Sequence, residues 1–296
     1  MQSLHMGAPA KVNLSLDIVG ARPDGYHLLE MVMQSVSLED RLVMTPTDQE
    51  EFRLSCSEKD VPLDKRNIVW KVCDAFFAKT KIAQTGLHIF IQKNIPSMAG
   101  LAGGSADGAA ALIGLNRLYH AHLSDEELCD IGALVGADIP FCIKGGTAFV
   151  EGIGEIITPL PVLHHGRILI VKPPIGINTA KSFQQYDRLK PSYHPNTAKL
   201  IEAVRQGDFE AAAGYMGNVL QKMQPIEPVE ALISEMSTLG AAGSVMTGSG
   251  SAVIGLFPDP QEAVLAFAHF KERYPQTFLT VPINHGAYFL QESCSL

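Results

Sequence analysis

Long apolar runs, basic clusters and paired cysteines are all missing from this chain, and each absence removes a class of function. No stretch of its 296 residues is apolar for the length of about 20 residues that a bilayer-crossing helix needs, and the opening MQSLHMGAPAK has no signal-peptide core. The expected location is therefore the cytoplasm. The first seven residues could be an appended leader rather than part of the fold. Net charge is −8, from 23 Lys and Arg against 31 Asp and Glu, with no basic run. Nucleic-acid binding draws most of its affinity from cations at phosphates, so no nucleic-acid partner is expected. Five cysteines (Cys56, Cys73, Cys129, Cys142, Cys294) show no CxxC spacing and are odd in number. That is the pattern of free thiols in a reducing compartment, not of a disulfide framework or a metal site.

What is present is apolar material for a large core: 46% of residues are hydrophobic and 18% charged. The length predicts two domains, and TPLPVLHHG, with Pro159 and Pro161, marks the expected boundary, giving residues 1–160 and 161–296. From Ala8 to Val19 the residues alternate, with Lys11, Asn13, Ser15 and Asp17 opposite the apolar set, which predicts a half-buried strand. Its polar face brings Lys11 and Asn13 together. Asp24-Gly25 predicts a tight turn presenting Tyr26 and His27. Helical spacing marks Asn67–Ala78, and Ser124 to Glu127 forms a capping box for a helix through Leu134, with Leu128, Ile131, Leu134 and Val135 inward. Pro140 blocks continuation of that helix and leaves Asp138 in a turn. The second half predicts strands at Arg167–Val171 and Val253–Phe257, and helices near Thr197–Val204, Phe209–Gly214, Pro228–Thr238 and Pro260–Tyr274. Strands and helices without regular alternation favour an α+β fold.

The stretch NIPSMAGLAGGSADGAAALIGLNRLY, Asn94 to Tyr119, is a small-residue loop opening into an apolar helix. Gly100, Gly103 and Gly104 can take positive φ, and Ser105 or Asp107 can cap the helix. Unpaired N–H groups at such a helix start suit a phosphate. A turn before a buried Ala-rich helix fits the glycines equally well. The stretch is neither a Walker loop nor a dinucleotide fingerprint. As a longer string, however, Pro96, Ser97, Met98, Ala99, Gly100, Leu101, Ala102, Gly103, Gly104, Ser105 and Ala106 closely resemble the central motif of the GHMP kinases. Ala106 departs from a second Ser common there.

APAKVNLSL, RPDGYHLLEM, GLAGGSADGAA and GADIPFCIKGGTAFVEGIGE together resemble one branch of that family, whose acceptor is a cytidine diphosphate ester of a branched polyol. The resemblance implies an α+β chain of two domains. The N-terminal one is like a small-subunit ribosomal protein, the C-terminal one is ferredoxin-like, and the active site lies in the cleft between them. It implies that Pro96 to Ala106 cradle ATP phosphates and that Asn67 and Lys93 contact the adenine end. Asp138 matches the base and Lys11 the cation near the reacting hydroxyl, with Asn13 beside it on the substrate side. Magnesium accompanies ATP, its protein ligands left open. Thr179 and Phe183, in PPIGINTAKSF, and Tyr26 and His27 match the cytidine contacts, with the two aromatic rings on opposite faces of the base and His27 at its edge. TGSGS resembles the third family motif, with Ser251 where Pro is common. Other readings are a different small-molecule kinase of the family, or a nucleotide binder without chemistry. Retention of Lys11 and Asp138 speaks against the latter.

Overall fold

In a computed structural model of the chain, which describes residues 3–49, 51–163, 165–223 and 225–290, the alternating segment becomes an 18-residue strand, β1 (Leu4–Ala21). The turn at Gly25, φ +90°, returns it antiparallel as β2 (His27–Pro46). Of the first seven residues, those described belong to the fold. Met6 is fully buried and pairs with Leu42.

The chain continues through β3 (Phe52–Cys56), α1 (Ile68–Thr80), β4 (Leu87–Gln92), α2 (Gly103–Leu118), α3 (Asp125–Ala133), α4 (Ile139–Lys144), β5 (Thr147–Gly152) and β6 (Ile156–Leu160). It then forms β7 (Arg167–Val171), α5 (Thr179–Leu189), α6 (Thr197–Gln206), α7 (Phe209–Gly214), β8 (Gly217–Asn218), α8 (Val219–Met223) and α9 (Glu227–Thr238). Last come β9 (Gly243–Met246), β10 (Val253–Phe257), α10 (Pro260–Arg273), β11 (Thr277–Thr280) and β12 (Tyr288–Phe289). One sheet runs β12-β1-β2-β4-β3, with β5 on β2, β6 on β5 and β8 on β1. The other runs β11-β7-β10-β9. β12 thus returns the chain to the first sheet, and Val281 O accepts from Ser37 N on the way. Among the described residues no helix is long and apolar enough to cross a membrane. Cys294 lies outside them; Cys56, Cys73, Cys129 and Cys142 are free thiols, and burial pushes that of Cys129 up to about 11.

β1 is buried on both faces, not one: Lys11, Asn13, Ser15 and Asp17 are all 5% exposed or less. The reason is a bulge. Leu14 is an extra residue between the pairs Asn13–Met33 and Ser15–Val32, and a one-residue slip reverses which face a side chain takes. Ala10, Val12 and Leu14 therefore join one hydrophobic core, with α2, while Leu16 and Ile18 join a second, shared with β7, α9 and α10. The strand serves both halves, and its polar residues sit where the two cores meet.

The Ser124 box caps α3 as expected, Ser124 Oγ accepting from Glu127 N and Glu127 Oε2 from Ser124 N. The inward set is corrected at Leu134: α3 stops at Ala133, and Leu134 is 80% exposed. Pro140 ends nothing but begins α4, in whose first turn its missing N–H costs no bond. The helix turns Asp138, at the N-cap position, toward Lys11.

Candidate active site

The glycine loop reaches α2 without a side-chain cap. The N-cap position is Ala102, itself left-handed at φ +57°, and neither Ser105 nor Asp107 caps the helix. The first helical turn therefore offers N–H groups to the cleft, where the helix dipole favours an anion. Of the three glycines, Gly100 alone takes positive φ, +78°. Gly103 is helical, and the need there is space: a Cβ would lie 3.0 Å from Ile95 Cγ2 and 3.3 Å from Lys93 Nζ.

A second loop, Met246 to Ala252, locks against the first. A Cβ on Gly100 would fall 2.1 Å from Thr247 O, Ala252 N donates to Ala99 O at 3.2 Å, and Asn13 N donates to Thr247 Oγ1 at 2.8 Å. Lys11 N donates to Leu101 O at 3.2 Å, so β1 ties to the same loop. Asn218, from β8, holds the second loop by donating Nδ2 to Met246 O and Gly248 O at 2.7 and 2.8 Å.

Lys11 and Asp138 meet at this junction, with Nζ 3.5 Å from Oδ2. The ammonium is buried and donates to Asn13 Oδ1 at 2.8 Å; the Asp138 side chain stays about one-third exposed. A desolvated cation facing a carboxylate that solvent or substrate can still reach is suited to binding a hydroxyl group between them.

Two expected adenine contacts sit differently. Asn67 is the N-cap of α1, its Oδ1 accepting from Val69 N and its Nδ2 donating to Pro62 O, and it does not line the cleft. Lys93 does line it, but its ammonium is held under Gly103 by two buried carboxylates, Asp40 and, at 2.7 Å, Asp107. Burial alone would lower the Lys93 pKa, yet the two negative neighbours carry it above its ordinary value. One ammonium cannot compensate two carboxylates. Asp40 also accepts from Asn94 N and Ile95 N, whereas Asp107 Oδ1 has no partner among the described residues. Burial pushes Asp107 up to about 7. These bonds fix both side chains but leave Asn67 one N–H and Lys93 one N–H for a ligand, and the motif alone gave no sign of their partners.

On the far side stand the aromatic residues. Tyr26 is 61% exposed at the mouth, and the His27 ring lies 5.0 Å from that of Phe183, tilted 31°. Thr179, first residue of α5, bonds Ser249 of the second loop, 2.7 Å between hydroxyls. His27 Nε2 lies 2.7 Å from Asp187 Oδ1. A cavity of about 1020 Å³ unites all of this: Lys11, Asn13, Tyr26, His27, Pro96 to Ser105, Asp138, Thr179 and Phe183 line it. Ala106 is buried behind the loop, so a second hydroxyl there would not face the cleft. Ser251 donates to Ile175 O, which anchors the second loop where Pro was expected. Asp187 and Asp40 escaped the sequence reading, and Ser249 entered it only as part of TGSGS. Asp187 had a signal in its four-residue spacing from Phe183.

The GHMP kinases N terminal domain model matches residues 67–146, and the GHMP kinases C terminal model residues 200–276. A 4-diphosphocytidyl-2-C-methyl-D-erythritol kinase of Clostridium beijerinckii is 42% identical over 94% of this chain and 99% of its own. One of Bacillus pumilus is 45% identical over 84% of this chain and 86% of its own. The crystal structure of a 4-(cytidine 5'-diphospho)-2C-methyl-D-erythritol kinase superposes with a TM-score of 0.76 at 27% identity, covering 97% of this chain and 98% of that one. A homoserine kinase from Cytophaga hutchinsonii shares the fold, TM-score 0.79 at 17% identity, over 98% of both chains.

Proposed function

The chain belongs to the GHMP kinases, and from that premise we propose that it transfers the terminal phosphoryl group of ATP to the 2-hydroxyl of 4-diphosphocytidyl-2-C-methyl-D-erythritol. The products are the 2-phosphate and ADP, and the reaction belongs to non-mevalonate isoprenoid precursor synthesis. The observation that carries this reading is the single cavity joining an uncapped helix start, the Lys11–Asp138 pair and an aromatic wall of Tyr26, His27 and Phe183.

Phosphoryl transfer asks for alignment and charge stabilisation more than covalent chemistry. The α2 N–H groups hold the phosphates. Asp138 takes the proton as the hydroxyl oxygen bonds to phosphorus and the bond to the ADP oxygen breaks. Lys11, fixed by Asn13, stabilises the charge that moves between these oxygens. Magnesium, when bound with ATP, would supply neutralisation of the phosphate charge. Among the described residues no group of three His, Cys, Asp or Glu side chains converges, and Asp138, in the cleft beside Lys11, is the carboxylate that would help hold it. Tyr26 and Phe183 supply stacking faces for cytosine. Soluble substrates fit a cytoplasmic enzyme of two functional halves divided near residue 160.

The test is a steady-state assay of ADP release with magnesium and the cytidylyl substrate, run beside mevalonate and homoserine. The expected result is turnover of the cytidylyl substrate with kcat/KM at least ~10⁴-fold lower for the others, the discrimination a pocket built on polar contacts achieves. Preference for mevalonate or homoserine would reassign the chain within its family, and ATP binding without any turnover would make it a silent binder.

A further inference from the structure

His27 is surrounded by one helix. Phe183, Tyr186 and Asp187 stand at i, i+3 and i+4 on α5, the spacing that puts three side chains on one face. Phe183 lies over the imidazole at 5.0 Å, Tyr186 meets it edge-on at 5.9 Å and 90°, and Asp187 Oδ1 sits 2.7 Å from Nε2. The His27 side chain is 14% exposed, so this arrangement, rather than solvent, decides how the ring is turned. Tyr186 in turn donates its hydroxyl to Ile18 O at 3.1 Å, pinning the same helix face to β1.

An ionised carboxylate only accepts hydrogen bonds, so Nε2 must carry a hydrogen to bond Asp187. In the neutral ring, Nδ1 is then left as a lone pair, and among the described residues no protein group bonds it. A lone pair complements a hydrogen-bond donor and repels an acceptor. Cytosine and uracil differ at ring position 4 in this very respect: cytosine carries an amino donor there, uracil a carbonyl acceptor. Stacking on Tyr26 or Phe183 accepts either base and cannot tell them apart.

We propose that Asp187 is a positioning residue that sets cytosine specificity by fixing His27 in the Nε2–H tautomer, so that Nδ1 accepts from the amino group of the base. The inference rests on the cytidylyl reading of the cavity and adds to it the residue that decides which edge His27 shows. Asp187 does this without touching the base, which is why its own side chain can remain 60% exposed. Substituting it should disturb selection more than folding.

The experiment compares kcat/KM for cytidylyl and uridylyl forms of the substrate in wild type, Asp187→Asn, Asp187→Ala and Asp187→Glu. Imidazole ¹⁵N chemical shifts of His27 are read in the same proteins. The expected result is that Asn and Ala lower the cytidylyl-to-uridylyl ratio at least tenfold, with the loss carried in KM for the cytidylyl form. Glu, which keeps the carboxylate, should recover most of the ratio. The ¹⁵N spectrum should show the Nε2–H tautomer in wild type and a mixture in Asn and Ala. An undiminished ratio in Asn and Ala, or a wild-type ring protonated at Nδ1 and bare at Nε2, overturns the role of Asp187 and leaves the kinase reading intact. A wild type that does not turn over the cytidylyl form at all overturns the functional reading first, and this inference with it.

Discussion

The two walls of the cleft are built by opposite means. On the phosphate wall the glycine loop is wedged against a second loop by backbone contacts, tied to β1 by Lys11 N, and underlain by the buried charges of Asp40, Lys93 and Asp107. On the base wall α5 has no buried residue at all and is held by a few side-chain contacts: Thr179 to Ser249, Tyr186 to Ile18 O, and the group around His27. Phosphate geometry is common to every ATP-dependent reaction of such a fold, whereas the acceptor differs from one enzyme to the next. Precision in the first is secured by the core; the second is placed on a surface helix, where substitutions alter binding at little risk to the fold.

The comparison breaks most completely at the chemical centre between the walls. Asp138→Asn should lower kcat by ~10²–10⁴, or about 3–5 kcal/mol of transition-state stabilisation, since a general base contributes on that scale. A side chain already one-third exposed predicts little change in thermal stability. Near-normal turnover by this variant in the steady-state assay would remove Asp138 as the base. Next in size is Gly100→Val, which puts a branched side chain at φ +78° and a Cβ 2.1 Å from Thr247 O. Backbone strain and overpacking together should cost about 2–4 kcal/mol of stability, with nucleotide affinity falling as the two loops part. Denaturant unfolding and calorimetry with ATP check the two effects; wild-type values in both would mean the loops are not coupled.

Phe183→Ala sharpens the contrast from the other wall. One stacking face is worth ~1–3 kcal/mol, so KM for the cytidylyl substrate should rise about 5- to 150-fold. Because Phe183 is only partly buried at the edge of the second core, the melting temperature should move less than in Gly100→Val. A large loss of stability would show that α5 is structural, and the difference between the walls would vanish.

The two walls were also unequally legible in the sequence. The loop-to-helix stretch, the capping box at Ser124 and the helix from Ile68 are local features, written in spacing and turn chemistry, and the structure repeats them within a residue or two. Lys11 and Asp138 could be named because their motifs are long. The bulge at Leu14, which hands β1 from one core to the other, has no local signature, since every residue around it suits an unbroken strand. α5 was hidden for another reason: its apolar stripe is short, essentially Phe183 and Tyr186, only partly buried against the second core, and its polar contacts come from residues more than 60 positions away. Asp107 looked like a cap because its partner Lys93 lies across the loop, at a distance that spacing does not encode.

Asp107 supplies the most diagnostic effect. A carboxyl raised to about 7 by burial binds its proton in the folded protein over a pH range in which the unfolded chain, titrating near 4, has released it. The sign follows from linkage: the contribution to stability is fully present below the unfolded pKa and is lost as pH rises through the folded one, so the window is about pH 4 to 7. Asp107→Asn cannot titrate, and its amide can still accept from Lys93. Stability of the wild type should therefore decline relative to the variant across that window. The change should be a few kcal/mol, since the window spans about three pKa units at ~1.4 kcal/mol each, and should level off above pH 7. Urea unfolding of both proteins at steps from pH 4.5 to 8 measures the difference directly. A constant difference would mean that Asp107 is ionised throughout, that Lys93 serves both carboxylates at once, and that the charge under Gly103 is one unit more negative than its solitary, unbonded oxygen implies.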